Sequence, residues 1–360
     1  MRNTGSHYSQ RHQFPETTEC LWCLLAFCSL FLFTVGACSG KTTQQQYAER
    51  NLALLEEAGV DPDFAKGRAL VLEERFSEAL PYLEKSSEPE ALFFRALALH
   101  ALGNADEAAG LFAICIQNNI QPVESLYNLG LIAYEKGDSD SAVARMEEVL
   151  EKAPEHAGAH YFLGSAAYAK NDMPSAEKHF RMATIHAPRI GAAWEGLFYA
   201  LVSQDNLAEG WDLRDRLDRA AGDNLLNLLL IGEKLGKAAE ALALIPAGEV
   251  SAPVRLQRII LVAQVHGLAA AIAESDNLPK EVTASAEFIV LDRGTTGALE
   301  WGISRIPHPQ GTVLLTCFTD RATKPTTYTL SVSTSSVTVN KKNYPLEQFR
   351  AAIPAICKGK

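Results

Sequence analysis

The chain has 360 residues, and its 33 lysines and arginines against 43 aspartates and glutamates give a formal net charge of −10 at pH 7. This length is sufficient for two structural units with continuous apolar cores. The acidic balance argues against a nucleic-acid-binding protein and against broad electrostatic adhesion to anionic lipid, because both depend on basic surface.

The first predicted element is an apolar segment near the N-terminus. Residues 21–37 carry no charged side chain and end in small residues just before Cys38. The segment is short for a membrane span and suits the core of a signal peptide. The sequence Val35-Gly36-Ala37-Cys38 resembles the bacterial lipobox, in which the cysteine is acylated and the chain is cut just before it.

The lipobox resemblance implies a domain order and a location. Residues 1–37 are a lipoprotein signal peptide in this interpretation, Cys38 is the lipidated residue of a palmitate-bearing anchor, and residues 38–46 form a short tether. Because Ser39 rather than aspartate follows the cysteine, the resemblance implies the periplasmic face of the outer membrane if the organism is Gram-negative. Glu16 and Glu19 depart from the positive bias usual before such a segment, so an uncleaved membrane anchor is the alternative.

The centre of the chain repeats one pattern at a constant spacing of 34 residues. A helix–turn–helix unit that cannot bury its own apolar face gives such a period when it stacks on copies of itself. The sequence therefore predicts a stack of helix pairs. The positions related by this step are Ala96, Gly130 and Gly164; Ala108, Ala142 and Ala176; Gly103, Gly137 and Asn171; and Pro154 and Pro188.

The best copy resembles the tetratricopeptide repeat, a family with the same period. Its first helix covers residues 125–134, a turn at Gly137 follows, and Pro154 ends the second helix. Gly130 is expected where the two helices cross closely, because a side chain there would hold them apart. The resemblance implies a mainly α protein, a right-handed α-solenoid over residues 47–278, with its best copies at 89–222 and degenerate copies on either side.

After residue 284 the hydrophobic pattern changes from helical to alternating, which predicts strands. Strands are predicted at 287–291, 298–306, 311–319, 326–334 and 337–340, and a helix over Leu346–Cys357. Tyr328, Leu330 and Val332 share one face, as in a half-buried antiparallel strand. We therefore predict a small α+β domain over residues 284–360, an antiparallel sheet covered by one helix. Cys317 and Cys357 either pair in an oxidising compartment or remain free buried thiols.

Patterns for catalysis and metal binding are weak in this sequence. Four histidines have helical spacings that place metal ligands on one face, and they are His156, His160, His179 and His186. No cysteine and carboxylate constellation accompanies them, so structural roles are favoured and no metal or cofactor is expected. A minor enzymatic interpretation places activity in the C-terminal domain around Asp292, Arg293, His308 and Asp320.

The first helices of the repeats form the candidate binding surface. In the tetratricopeptide family these helices line the concave side, and fixed offsets within each helix point into the groove. Phenol rings there offer apolar area with a polar tip, which suits a binding surface, although they also suit packing between repeats. Carried onto this chain, the offsets predict a partner-binding groove of Phe93, Leu97, His100, Tyr127, Leu131, Tyr134, Tyr161, Tyr168 and Tyr199.

The two resemblances together imply a function. They predict a lipid-anchored scaffold of the cell envelope that binds a protein or peptide partner and aids assembly of an envelope complex, without catalysis. The alternative is a periplasmic component that encloses a small apolar ligand for transport. A continuous open groove favours the scaffold, and an enclosed apolar cavity favours the ligand carrier.

Overall fold

A computed structural model of the chain describes residues 48–50, 52, 55, 59–220, 223–279, 289–296, 299–305, 312–319, 326–333 and 335–358. The predicted signal peptide, Cys38 and the tether at 38–46 lie outside these residues. Within the described residues, no helix has both the length and the apolar character needed to cross a membrane. The chain groups into two compact units, one ending at Asp205 and the other beginning at Asn206.

The first unit is built of consecutive helix pairs. Three residues separate the two helices of each pair, a connection short enough to make them antiparallel neighbours. Its described helices are α1 (Pro62–Leu72), α2 (Phe76–Lys85), α3 (Ala91–Ala101), α4 (Ala105–Gln117), α5 (Pro122–Glu135), α6 (Ser139–Lys152), α7 (Ala157–Ala169), α8 (Met173–His186) and α9 (Gly191–Ser203).

Local sequence signals begin these helices at repeating positions. Asp138 caps α6 by accepting a hydrogen bond from the Ser141 N–H at 3.0 Å. Asp172 caps α8 in the same way, and the Ser175 N–H lies 3.2 Å from its carboxylate. Each bond satisfies a backbone donor that the first turn of a helix leaves without a partner.

The turns within the pairs also recur with the repeat. Gly103, Gly137 and Asn171 have φ values of +84°, +82° and +61°, a left-handed conformation that glycine and asparagine tolerate best. Asp205 holds the next position in the period and has φ of +60°. The turn positions predicted from the period are therefore confirmed.

Glycines allow the helices of a pair to approach closely. A Cβ added at Gly130 would lie 2.8 Å from Met146 Cε on α6. A Cβ added at Gly164 would lie 2.8 Å from the Phe180 ring on α8. Since such contacts are too short for a real side chain, the prediction that these glycines mark close crossings is confirmed.

The second unit begins with shorter helices that keep part of this packing. Trp211 on α10 is fully buried, and a Cβ added at Gly232 would lie 2.9 Å from its ring and 2.7 Å from Ala241 Cβ. Small residues therefore again let helices come together. The described helices are α10 (Leu207–Asp212), α11 (Asn224–Lys234), α12 (Ala238–Ala243), α13 (Ala252–His266) and α14 (Leu268–Asp276).

A six-stranded antiparallel sheet follows, with its strands in sequence order. The side chains of β4 alternate as predicted, because Leu330 is buried while Thr329 and Ser331 are exposed. The terminal helix α15 covers Leu346–Cys357, as predicted. The strands are β1 (Ile289–Thr296), β2 (Leu299–Arg305), β3 (Val313–Thr319), β4 (Thr326–Val332), β5 (Ser336–Val339) and β6 (Lys342–Pro345).

The sheet shares one apolar core with three helices. Phe349 and Ile353 of α15 are buried against it, and so are Ile259 of α13 and Ala271 of α14. The predicted covering helix is therefore joined by two helices that the sequence assigned to the repeats. The predicted boundary between repeats and C-terminal domain, near residues 278–284, falls within this unit.

A disulfide joins the sheet to its terminal helix. Cys317 of β3 and Cys357 of α15 are bonded, with Cα atoms 5.6 Å apart. Of the two interpretations of these cysteines, the structure shows the disulfide. Cys115 on α4 is buried as a free thiol, and burial raises its pKa, which keeps it in the unreactive protonated form.

Candidate binding surface

The candidate surface lies on α3, α5, α7 and α9, the first helices of successive repeats. His100 Nε2 lies 2.9 Å from a carboxylate oxygen of Glu135, which joins α3 to α5. The ring of Tyr134 on α5 meets Phe162 on α7 edge-to-face, with centroids 5.3 Å apart. These contacts fix how neighbouring first helices present their side chains.

Three of the predicted groove residues are buried. Phe93, Tyr127 and Leu131 expose 5%, 7% and 6% of their surface. Tyr127 covers Gly158 at the start of α7, where an added Cβ would lie 2.9 Å from the tyrosine oxygen. Its ring also lies 4.8 Å from that of His156, between centroids. Tyr127 therefore packs one repeat on the next, and a role in partner binding stays a prediction for these three residues.

Tyr134 is the most exposed of the predicted groove residues, at 46%. Tyr161 lies 5.9 Å from Phe180 and Tyr199 lies 5.3 Å from Phe198, between ring centroids. Rings held by such neighbours lose little conformational entropy when a partner binds. The predicted groove residues that are partly buried are Leu97, His100, Tyr161, Tyr168 and Tyr199.

Sequence reasoning missed two contacts on this surface. The offset rule selected His100 but not its partner Glu135, which lies 35 residues later, one more than the repeat period. It also selected Tyr134 but not Phe162, which supports the exposed ring. A search for complementary side chains one period apart, allowing a shift of one residue, finds the first of these contacts.

The histidines of the predicted metal pattern form a hydrogen-bonded pair. His160 Nδ1 lies 3.1 Å from His179 Nδ1, and His160 Nε2 lies 2.9 Å from the Pro154 carbonyl oxygen. Since a carbonyl only accepts, His160 Nε2 carries a hydrogen, and its Nδ1 accepts from the Nδ1–H of His179. Burial lowers the pKa of both imidazoles, which favours this neutral pair.

The other two histidines have separate positions. His156 caps α7, since its Nδ1 accepts a hydrogen bond from the Ala159 N–H at 3.0 Å. His186 stacks on His160 with centroids 6.2 Å apart. In the part of the chain that the structure describes, no group of three or more His, Cys, Asp or Glu has a metal-binding arrangement. Capping and packing between α7 and α8 account for these four side chains.

Asp292 and Arg293, from the minor enzymatic interpretation, join elements of the second unit. Arg293 contacts Glu233 on α11 at two points, with N···O distances of 2.9 and 2.6 Å. The buried Asp292 carboxylate lies 3.5 Å from the Arg350 guanidinium. Burial raises the pKa of Asp292 to about 6, although Arg350 opposes the shift. Two further residues of that interpretation lie outside the described residues, His308 and Asp320.

Comparison with known proteins identifies the repeat. Residues 127–193 match the family model of the tetratricopeptide repeat, and no match was found among curated proteins. Among solved structures, the chain matches a tetratricopeptide repeat protein from Parabacteroides merdae with 15% identity, a TM-score of 0.34 and coverage of 67% of this chain and 96% of that one. PilF of Pseudomonas aeruginosa matches with 16% identity, a TM-score of 0.40 and coverage of 55% of this chain and 93% of that one. A chain of the Cut9–Hcn1 hetero-tetramer of the APC/C matches with 18% identity, a TM-score of 0.43 and coverage of 65% of this chain and 45% of that one.

The stacked helix pairs define the class of this protein as a helical-repeat scaffold for protein–protein interaction. Scaffolds of this class are generally not enzymes. Within that class, the repeats are of the tetratricopeptide type, whose family model matches residues 127–193. The matched family model, the 34-residue period and the close crossings at Gly130 and Gly164 agree on this point.

Proposed function

We propose that this protein is a membrane-anchored scaffold of the cell envelope that docks a protein or peptide partner along α3, α5, α7 and α9. Such docking would aid the assembly of an envelope complex. The observation that carries the proposal is the series of phenol rings on successive first helices, with Tyr134 46% exposed. Tyrosine combines apolar area with a hydroxyl group and few rotatable bonds, which favours the docking of a peptide or helix.

Two features support the envelope location. The lipobox-like sequence ends at Cys38, and the Cys317–Cys357 disulfide is of the kind that persists in oxidising compartments. Labelling cells with a palmitate analogue, followed by membrane fractionation, tests the anchor. We expect label and outer-membrane recovery for the wild type, and loss of the label in Cys38→Ala. Label that persists in Cys38→Ala contradicts lipidation at this residue.

A tyrosine pair tests the docking surface. Tyr134→Ala/Tyr168→Ala removes two phenols one period apart and leaves the buried Tyr127 in place to pack the repeats. Aromatic anchors carry a large share of the free energy of many interfaces. Cross-linking in whole cells, followed by purification in detergent, is therefore expected to capture a partner with the wild type and not with this variant.

A matched substitution controls this experiment. Tyr82→Ala removes a phenol that is 36% exposed on α2. This helix is the second of its pair and does not belong to the candidate surface. This control is expected to capture the partner as the wild type does, and circular dichroism verifies that each variant folds. Retention of the partner by a folded Tyr134→Ala/Tyr168→Ala variant rejects docking on the first helices.

A further inference from the structure

Charge on the candidate surface is one-sided over three successive first helices. The described helices α5, α7 and α9 hold no lysine or arginine in their sequences. They hold three carboxylates, Glu124 and Glu135 on α5 and Glu195 on α9. The second helices between them differ in this respect, because α6 and α8 carry basic residues such as Arg145 and Arg181.

The three carboxylates share a face with the predicted groove residues. Positions 124, 127, 131 and 135 on α5 follow the spacing of one helix face. On α9, Glu195 and Tyr199 lie four residues apart, one turn along the same face. The Glu135 side chain is 31% exposed, and Glu124 and Glu195 are partly buried. The surface therefore combines phenol rings with negative charge.

Lysines near the ends of these helices pair with second helices. Lys136 follows α5 and forms an ion pair with Asp106 on α4. Lys170 follows α7, and its Nζ lies 3.9 Å from a carboxylate oxygen of Asp140 on α6. These contacts direct both ammonium groups towards aspartates at the starts of second helices. The negative character of the α5–α9 face therefore comes from its own side chains.

From this arrangement we infer that the docked segment is cationic, a peptide carrying lysine or arginine among apolar residues; the inference rests on the proposed function. Carboxylates attract such a segment, and tyrosine faces bind ammonium and guanidinium groups through their π electrons. The net charge of −10 steers cations to the protein at long range. An acidic segment or a C-terminal carboxylate would meet no guanidinium or ammonium donor from these three helices and would be repelled.

The test measures binding of defined peptides to the full chain in detergent. Three pools of short fluorescein-labelled peptides share the same length and the same apolar and aromatic residues. They differ only at their remaining positions, which are lysine, glutamate or serine. Fluorescence anisotropy is expected to show the lysine pool binding roughly tenfold more tightly than the serine pool, and the glutamate pool binding weakest. Added salt reduces the lysine preference, because exposed charges are screened.

Two triple variants separate the surface charge from the net charge. The surface variant, Glu124→Gln/Glu135→Gln/Glu195→Gln, is expected to lose most of the lysine preference while keeping its helical circular dichroism. The matched variant makes the same change in net charge on the second helix α6, and is expected to keep the preference. Its substitutions are Glu147→Gln, Glu148→Gln and Glu151→Gln.

Several results overturn the inference. Equal or tighter binding of the glutamate or serine pool does so, and so does a preference that survives in the surface variant. An equal loss of the lysine preference in both variants would show an effect of net charge alone and would also overturn the inference. Failure of all three pools to bind overturns it as well. The proposed function is decided separately, by whether a cross-linked partner survives the Tyr134→Ala/Tyr168→Ala substitution.

Discussion

Phe180 shows how single residues set the spacing of helices in the first unit. This ring on α8 is fully buried between Gly164 of α7 and Gly196 of α9. Added Cβ atoms at the two glycines would lie 2.8 and 2.5 Å from it. Because the ring is enclosed on both sides, movement away from one glycine brings it against the other.

Gly164→Ala is therefore expected to destabilise the first unit. The added methyl overlaps the Phe180 ring, and overpacking of this kind costs about 1–3 kcal/mol of unfolding free energy. Urea denaturation followed by circular dichroism measures the change. The matched control is Gly110→Ala on α4, where an added Cβ meets nothing within 4 Å. That control is expected to gain up to about 1 kcal/mol from helix propensity, so a loss of equal size in both variants contradicts the explanation.

The repeat period predicted packing residues, but it did not predict how exposed each groove residue is. Gly130 and Gly164 were located from spacing alone, because a close crossing excludes every larger side chain. Tyr127 was placed in the groove by its offset, yet it is 7% exposed, because the following repeat presents Gly158 beneath its ring. The offset of a residue within its helix does not reveal what the next repeat places opposite, so exposure could not be predicted.

The imidazole pair makes the first unit sensitive to acid. Burial lowers the pKa of His160 and His179 in the folded state, and Lys178 acts on both in the same direction. The hydrogen bond to the Pro154 carbonyl partly opposes the shift in the pKa of His160. The unfolded chain has ordinary values of about 6.5 and so binds protons first as the pH falls. The neutral pair therefore stabilises the folded state fully above about pH 6.5, and this stabilisation is lost as the pH drops below that value.

Thermal unfolding at pH values on either side of this range measures the effect. We expect the wild-type Tm to fall by a few degrees on acidification, on the order of 2–4 °C for each kcal/mol lost. His179→Gln removes one titrating partner and is expected to reduce this fall. His266→Gln, on an exposed residue of α13, serves as the control and is expected to leave it unchanged. An acid response that is identical in all three proteins excludes the pair as its cause.

At the scale of elements, the alternation of side chains predicted a strand correctly where one face of that strand is buried. The alternation around Leu330 predicted β4, but β6 was missed because Lys342 to Pro345 includes no fully buried side chain. The sheet also continues past the predicted end of β1. There an added Cβ at Gly294 would lie 2.6 Å from the Trp301 ring on β2. A glycine in a strand fits either a turn or such a close approach, and only its neighbours distinguish the two.

The disulfide between β3 and α15 is expected to stabilise the second unit substantially. Cys317 and Cys357 are separated by 40 residues, and closing a loop of this size removes about 4 kcal/mol of unfolded-state entropy in the chain-entropy relation. Urea denaturation with and without a reductant is expected to show a loss of roughly 2–4 kcal/mol on reduction.

Cysteine variants identify the source of that loss. Cys317→Ala/Cys357→Ala is expected to be less stable than the oxidised wild type and indifferent to reductant. Cys115→Ala, which removes the free buried thiol, is expected to keep the full response. A response to reductant that persists in the double variant contradicts the assignment to this bond.

At the scale of the whole molecule, the period predicted the repeats but not which helices share a core with the sheet. The repeat region predicted over residues 47–278 includes the helix pair α13 and α14. Their apolar faces pack with the sheet, so that Ile259 and Ala271 belong to the same core as Leu315 and Ile353. A helix has the same internal period whether its apolar face meets a repeat or a sheet. The partner of that face therefore could not be read from the sequence.

Each unit has apolar clusters of its own, and perturbations are therefore expected to remain within the unit where they are made. Clusters built around Phe112 and Met146 belong to the first unit, and the core of sheet and helices belongs to the second. Hydrogen exchange read by mass spectrometry is expected to show that Gly164→Ala lowers protection up to residue 205. Reduction of the disulfide is expected to lower it from residue 206 onward. Since sites without shared partners act independently, the two changes in unfolding free energy should add when combined. Loss of protection in the unperturbed unit, or a combined effect well above the sum, would show that the two cores unfold as one.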